Sequence, residues 1–146
     1  MQIKELGHVV LYVTNLTKMA DFYKKILGFK EISRETGMAI FSSGKTHHEL
    51  LLIEIGGKAE INKKPEPGLY HIGFKIGDSL EELKKAYHEL KKNKVEIIGT
   101  TDHTVTYSIY IKDPDGNELE LYADVSDEWK KNPKIILSPP KPLPLH

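Results

Sequence analysis

Residues 6–32, "LGHVVLYVTNLTKMADFYKKILGFKEI", and residues 69–98, "LYHIGFKIGDSLEELKKAYHELKKNKVEII", carry one pattern twice. His8 answers His71, Asn15 answers Asp78 and Leu27 answers Leu90, at a constant offset of 63. In the first copy the β-rich "ELGHVVLYV" (5–13) predicts a strand. Leu16, Met19, Phe22, Tyr23, Ile26 and Leu27 recur at helical spacing and predict a helix over 15–29. Asn15 or Thr17 suits its start and Gly28 its stop. "KEISRE" (30–35), "MAIFSS" (38–43) and "HHELLLIEI" (47–55) then read as strands, punctuated by Gly37 and Ser43-Gly44. Further on, "LELY" (119–122) resembles "LLIEI" (51–55), with Glu54 answering Glu120 after a three-residue insertion.

Repetition on this scale sets the architecture. Each half reads β-α-β-β-β, so the chain is α+β, with two pseudo-symmetric βαβββ modules over about 3–56 and 69–124 in a single domain, 1–124. Residues 57–68, "GKAEINKKPEPG", form a polar connector. Residues 125–146 depart from the repeat: a short helix at "SDEWKK", capped by Ser126, and then "SPPKPLPL". Proline keeps that last run extended, either frayed or laid along a partner subunit.

Composition narrows the function classes. Lys+Arg and Asp+Glu both number 21, so the formal charge is zero and nothing points to nucleic acid. Cysteine is absent, which removes disulfides, thiol nucleophiles and thiolate metal sites. No apolar run reaches membrane-span length, and "MQIKELGHVV" lacks the apolar core of a signal peptide, so the expected location is cytoplasmic.

Glu120 is the unusual residue. It interrupts an apolar alternation just after the turn "DPDG", and a carboxylate buried there is costly without a partner. If the halves pack by pseudo-two-fold symmetry, His8 and His71 occupy equivalent places with Glu120 alongside. Two imidazoles and one carboxylate form a facial triad with open positions, a set that suits non-haem Fe(II). The same residues admit a plainer reading. A strand His is commonly a satisfied core or edge residue, and Glu120 can face solvent while Leu119 and Leu121 face the core.

The chain resembles the vicinal oxygen chelate superfamily of glyoxalases, bleomycin-resistance proteins and extradiol dioxygenases. "GHVVLYVTNLTKMADFYKKILGF", "YHIGFKI" and "DPDGNELELY" carry the general likeness, over about residues 3–130. "HHELLL", "DHTVTYSIYIKDPDGN" and "ELYADVSDEW" resemble single-domain catechol 2,3-type extradiol dioxygenases. The resemblance implies modules joined in an open cup-shaped sheet around a metal, with His8, His71 and Glu120 as its ligands. It implies an acid/base role for His48, and substrate hydrogen bonds from His103 and Tyr110. By residue type alone, His47-His48 is equally a polar strand start, Tyr110 an ordinary strand aromatic and His103 a loop residue. His88 and His146 receive no role.

The implied reaction inserts both atoms of O₂ into a small aromatic diol at Fe(II), or at Mn(II), which the same ligands suit. That places the protein in aromatic breakdown as a homo-oligomer with no nucleic-acid or membrane partner. Val10, Tyr12, Leu50, Leu52 and Tyr107 are candidates for an apolar wall. One rival is a glyoxalase-I-like isomerase or lyase, in which Glu54 completes a site of two His and two Glu. The other is a bleomycin-resistance-type binding protein without metal chemistry.

Overall fold

The computed structural model describes residues 1–59 and 67–145. Residues 60–66 of the polar connector, and His146, lie outside the described residues. Two compact units emerge, Met1–Lys64 with Pro114–Gly116 and Pro65–Asp113 with Asn117–His146. Among the described residues no helix is long and apolar enough to cross a membrane.

In the first unit β1 (Val9–Val13) leads into α1 (Leu16–Asp21), followed by β2 (Lys30–Glu35), β3 (Met38–Ser42) and β4 (Leu50–Glu54). The sheet order is β1-β4-β3-β2, with β1 and β4 parallel and the other pairs antiparallel. Asn15 caps α1, its side chain accepting the Lys18 N–H at 2.8 Å. The helix expected over 15–29 is regular only to Asp21. Phe22–Ile26 form a wider π turn in which the Leu27 N–H reaches the Phe22 carbonyl. The wider turn lets the adjacent Phe22 and Tyr23 both face inward, into the core that Met19, Phe41, Leu50 and Leu52 share. Each such buried side chain contributes roughly 1.5–3 kcal/mol of apolar transfer. Gly28, at φ +73°, ends the segment in a conformation that favours glycine.

The second unit repeats the plan: β5 (His71–Gly77), α2 (Leu80–Lys92), β6 (Ile97–Asp102), β7 (Thr106–Lys112) and β8 (Glu118–Asp124). The order is β5-β8-β7-β6, with β5 and β8 parallel. A reciprocal cap starts α2: Ser79 accepts the Glu82 N–H, and Glu82 accepts the Asp78 N–H. The helix buries Leu83 and Leu90, and the sheet buries Ile109, Ile111, Leu119 and Leu121. Asp113 closes the β7–β8 turn by accepting both the backbone and side-chain N–H groups of Asn117 at 2.9 Å.

The C-terminal run docks on its own unit. After two 3₁₀ turns, Glu128–Lys130 and Pro133–Leu137, a short β9 (Lys141–Pro142) pairs antiparallel with β6. The Thr100 hydroxyl donates to the Leu143 carbonyl at 2.6 Å, and Leu145 is buried. Proline is tolerated there because β9 is an edge strand that need not donate outward.

Candidate functional site

Strand parity builds the site of the second unit. Along β8 the residues Leu119, Leu121 and Ala123 are buried, and Glu118, Glu120, Tyr122 and Asp124 lie on the other face. Across the ladder Tyr110 pairs with Glu120 and Ser108 with Tyr122, so Ser108 and Tyr110 share the Glu120 face. On the opposite side of β8, β5 pairs His71 with Glu118 and Gly73 with Glu120. Gly73 leaves space beside the carboxylate, since a Cβ there would lie 3.6 Å from Glu120 Oε2.

The Glu120 side chain is only 16% exposed, and its two oxygens have different surroundings. Oε1 accepts from the Ser108 hydroxyl at 2.6 Å and from the Tyr110 hydroxyl at 3.0 Å. His103 Nε2 lies 2.9 Å from the Tyr110 oxygen. Tyr110 has one proton and gives it to Glu120, so His103 donates from Nε2 and the relay runs His103 to Tyr110 to Glu120. Burial first, and then the Glu120 charge, push the Tyr110 hydroxyl well above its usual pKa, which keeps it a donor.

Oε2 faces His71 Nε2 at 3.2 Å. Two donor atoms in adjacent positions around an ion, each about 2.1 Å from it, stand about 3 Å apart, so the pair has the spacing of neighbouring ligands. The donor set, one imidazole and one carboxylate, suits a divalent first-row metal. His71 Nδ1 is buried without a hydrogen-bond partner among the described residues, 3.8 Å from Glu118 Oε1. Among the described residues no three His, Cys, Asp or Glu side chains are grouped to hold a metal ion. The second unit by itself supplies two.

The first unit brings together a different set. His8 precedes β1 and is exposed, as are Val10 and Tyr12 on the same face. Its ring centroid lies 4.6 Å from that of His48. His47 and His48 form a hydrogen bond between Nδ1 atoms 2.6 Å apart, one donating and the other accepting. Desolvation, and then the neighbouring His47 and His8, lower the His48 pKa, favouring a neutral imidazole. His48 stands in a loop, not on the fourth strand, which starts at Leu50. Glu49 is the reason. Its carboxylate accepts the N–H groups of Ser43 and Thr46 at 2.7 and 3.0 Å and folds the 43–49 segment into a tight loop. Burial opposes ionisation of Glu49, but the donors from Ser43, Ser42 and Thr46 outweigh it and bring the pKa to about 2.

Two further expectations change. Leu50 and Leu52 are buried in the first unit's core beside Leu11, on the face opposite Val10 and Tyr12. Tyr107 lies on the Ile109 face of β7, away from Tyr110. None of these three lines the face that carries the histidines of its own unit. Glu54 serves the fold, because its Oε2 accepts the Leu16 N–H, the first of α1, at 2.6 Å.

Sequence reasoning did not find Ser108, fully buried and hydrogen bonded to Glu120. A small polar residue between Tyr107 and Ile109, two positions before Tyr110, is the available signal. It also did not find a cavity of about 510 Å³, lined by His71, His103, Tyr110 and Glu120 together with Val105, Tyr122, Asp124, Trp129 and Ile136, among others. Trp129 and Ile136 come from the C-terminal run, for which the repeat has no counterpart.

Comparison with known proteins bears on the whole arrangement. A model of the Glyoxalase/Bleomycin resistance protein/Dioxygenase superfamily matches residues 5–121. A biphenyl-2,3-diol 1,2-dioxygenase of Rhodococcus globerulus is 29% identical over 82% of this chain, which spans 63% of that protein. A metallothiol transferase FosB of Staphylococcus haemolyticus is 30% identical over 83% of this chain and 84% of its own length. The crystal structure of a glyoxalase/dioxygenase from Nostoc punctiforme shares the fold, with a TM-score of 0.68 and 22% identity over 84% of this chain and 92% of that one.

Proposed function

The chain belongs to the glyoxalase/bleomycin resistance protein/dioxygenase superfamily, and from that premise we propose that it is an extradiol ring-cleavage dioxygenase acting on a catechol-type diol. The observation that carries this reading is the hydrogen-bonded carboxylate. Ser108 and Tyr110 occupy Oε1 of Glu120, and Oε2 is turned to His71 Nε2. His71 and Glu120 would hold the metal, Fe(II) or Mn(II), and the family resemblance implies His8 as the third ligand. When bound, the metal supplies a centre through which electrons pass from the diol to O₂.

The protein's own groups do the rest. His48, with its lowered pKa, is neutral at pH 7 and takes a proton from a substrate hydroxyl. Tyr110, kept protonated, and His103 hold their protons on Glu120 Oε1 and on the Tyr110 oxygen, and they become donors for substrate oxygens on which charge develops by turning from those partners. Before substrate arrives the same relay fixes the Glu120 carboxylate, which orients Oε2 toward His71. Both atoms of O₂ end in a ring-opened product, and no other oxidant is consumed.

A metal-dependent transferase or isomerase is the second reading, favoured by the length over which the metallothiol transferase matches. The isomerase form of it needs Glu54 as a ligand, and Glu54 Oε2 is engaged with the start of α1. Metal analysis of anaerobically purified protein, with O₂ uptake on adding catechols, tests the proposal. Bound iron or manganese with catechol-dependent uptake is expected. Nickel or cobalt with thiol-adduct turnover, and no uptake, would replace it with the second reading.

A further inference from the structure

The cavity runs along the strands. Successive rungs of the β7–β8 ladder on the Glu120 face are Tyr110/Glu120, Ser108/Tyr122 and Thr106/Asp124. Asp124 lies four residues along the strand from Glu120, about 13 Å at the rise of an antiparallel strand. A site of about 150 Å³ accepts a benzene ring. A cavity of about 510 Å³ therefore has room beyond one ring. The C-terminal run walls it with Trp129 and Ile136, and Val105 and Tyr122 add apolar surface. The run is fastened by the β9–β6 pairing and by Thr100 on the Leu143 carbonyl.

Charge at the Asp124 rung is net negative, with Asp124 and Asp78 against Lys75. Lys75 Nζ lies 2.8 Å from Asp124 Oδ2 and also pairs with Asp78, so one ammonium already serves two carboxylates. Among the described residues no Lys or Arg lines the cavity. An anionic substituent arriving there meets Asp124 with no cation in the lining to receive it, and like charges brought together oppose binding.

Resting on the proposed diol chemistry, we infer that the C-terminal run and Asp124 set substrate choice, selecting catechols with an uncharged aryl or alkyl substituent and rejecting carboxylated ones. Trp129 and Ile136 pack on the substituent, and Asp124 excludes its anionic analogues.

Trp129 is the single tryptophan of the chain, so its emission reports occupancy of the cavity without turnover. The experiment titrates Fe(II)-loaded protein, held anaerobic, with 4-tert-butylcatechol and with 3,4-dihydroxybenzoate, reading Trp129 fluorescence and, in parallel, calorimetry. The expected Kd for the tert-butyl compound is at least tenfold the lower, with a change in Trp129 emission. Ile136→Ala weakens it about fivefold and weakens unsubstituted catechol by less. Asp124→Asn, checked for folding by circular dichroism, tightens 3,4-dihydroxybenzoate about fivefold. Equal affinities, failure of both diols to bind, or calorimetric binding that leaves Trp129 emission unmoved would overturn the inference. O₂ uptake is measured separately. Selectivity without uptake supports the pocket and counts against the ring-cleavage reading. Uptake without selectivity removes the pocket alone.

Discussion

Tyr110 and Glu120 face each other across the antiparallel β7–β8 pair, and the Tyr110 hydroxyl donates to Glu120 Oε1 at 3.0 Å. His103 stands behind that hydroxyl at 2.9 Å. Tyr110→Phe removes the centre of the relay, leaving His103 Nε2 without this acceptor and Oε1 with Ser108 alone. A lost partner of a metal-ligating carboxylate commonly costs about 10–100-fold in metal affinity or activity. The expected outcome is a fall of about that size in kcat/KM with catechols, and weaker Fe(II) binding in a competition titration. Unchanged values in both would remove Tyr110 from the site.

Ser108 separates structure from catalysis. It is fully buried and its bond to Glu120 is 2.6 Å long. Ser108→Ala takes one donor from a carboxylate and leaves little void. We expect about 1–2 kcal/mol of lost stability in urea unfolding of metal-free protein. Fe(II) affinity should fall by less than in Tyr110→Phe, because the His103–Tyr110 relay survives.

His48 should behave differently from the ligands. His48→Ala is expected to lower kcat by about a hundredfold or more, the scale of a lost acid/base, while the protein retains its iron. His71→Ala is expected to lose the metal. If His48→Ala turns over catechols at the full rate, the acid/base belongs to another group.

The repeat makes both modules legible, because strand alternation and helical spacing follow from which face is buried, and each unit buries its own face. Glu120, His71 and Tyr110 are legible through spacing and resemblance. His48 is harder to place. Its loop depends on Glu49 finding the N–H groups of Ser43 and Thr46, a contact that no periodicity encodes. The tail reads in sequence as extended, frayed or laid along a partner, because proline removes donors, yet an edge strand needs only the acceptors that Thr100 and β6 use. Trp129 and Ile136 escape the sequence for the same reason, since they reach the cavity only once that tail is docked.

Glu49 supplies a pH signature. Its folded pKa of about 2 lies below the ordinary 4.5. A depressed carboxylate stabilises the fold fully above its unfolded value and loses that contribution as pH falls through the folded one. Wild type and Glu49→Gln should therefore differ in Tm at neutral pH by about 3–5 °C, the effect of roughly 1 kcal/mol. The gap should close between pH 4.5 and about 2. A gap that persists unchanged to pH 2 would mean that the carboxylate charge is not what holds the 43–49 loop.

Glu54 decides between the two enzyme readings. As a metal ligand it would be needed for metal content, and as an N-terminal acceptor for α1 it matters only to the fold. Its Oε2 takes the Leu16 N–H at 2.6 Å, beside the Asn15 cap that already serves Lys18. Losing such an acceptor costs about 1 kcal/mol. Glu54→Ala should therefore lower Tm by a few degrees, roughly 3–5 °C, and leave the iron content and the metal Kd within about twofold of wild type. If the variant instead keeps its Tm and loses its metal, Glu54 is a ligand. The site is then of two His and two Glu, and proton transfer replaces ring cleavage as the reaction it supports.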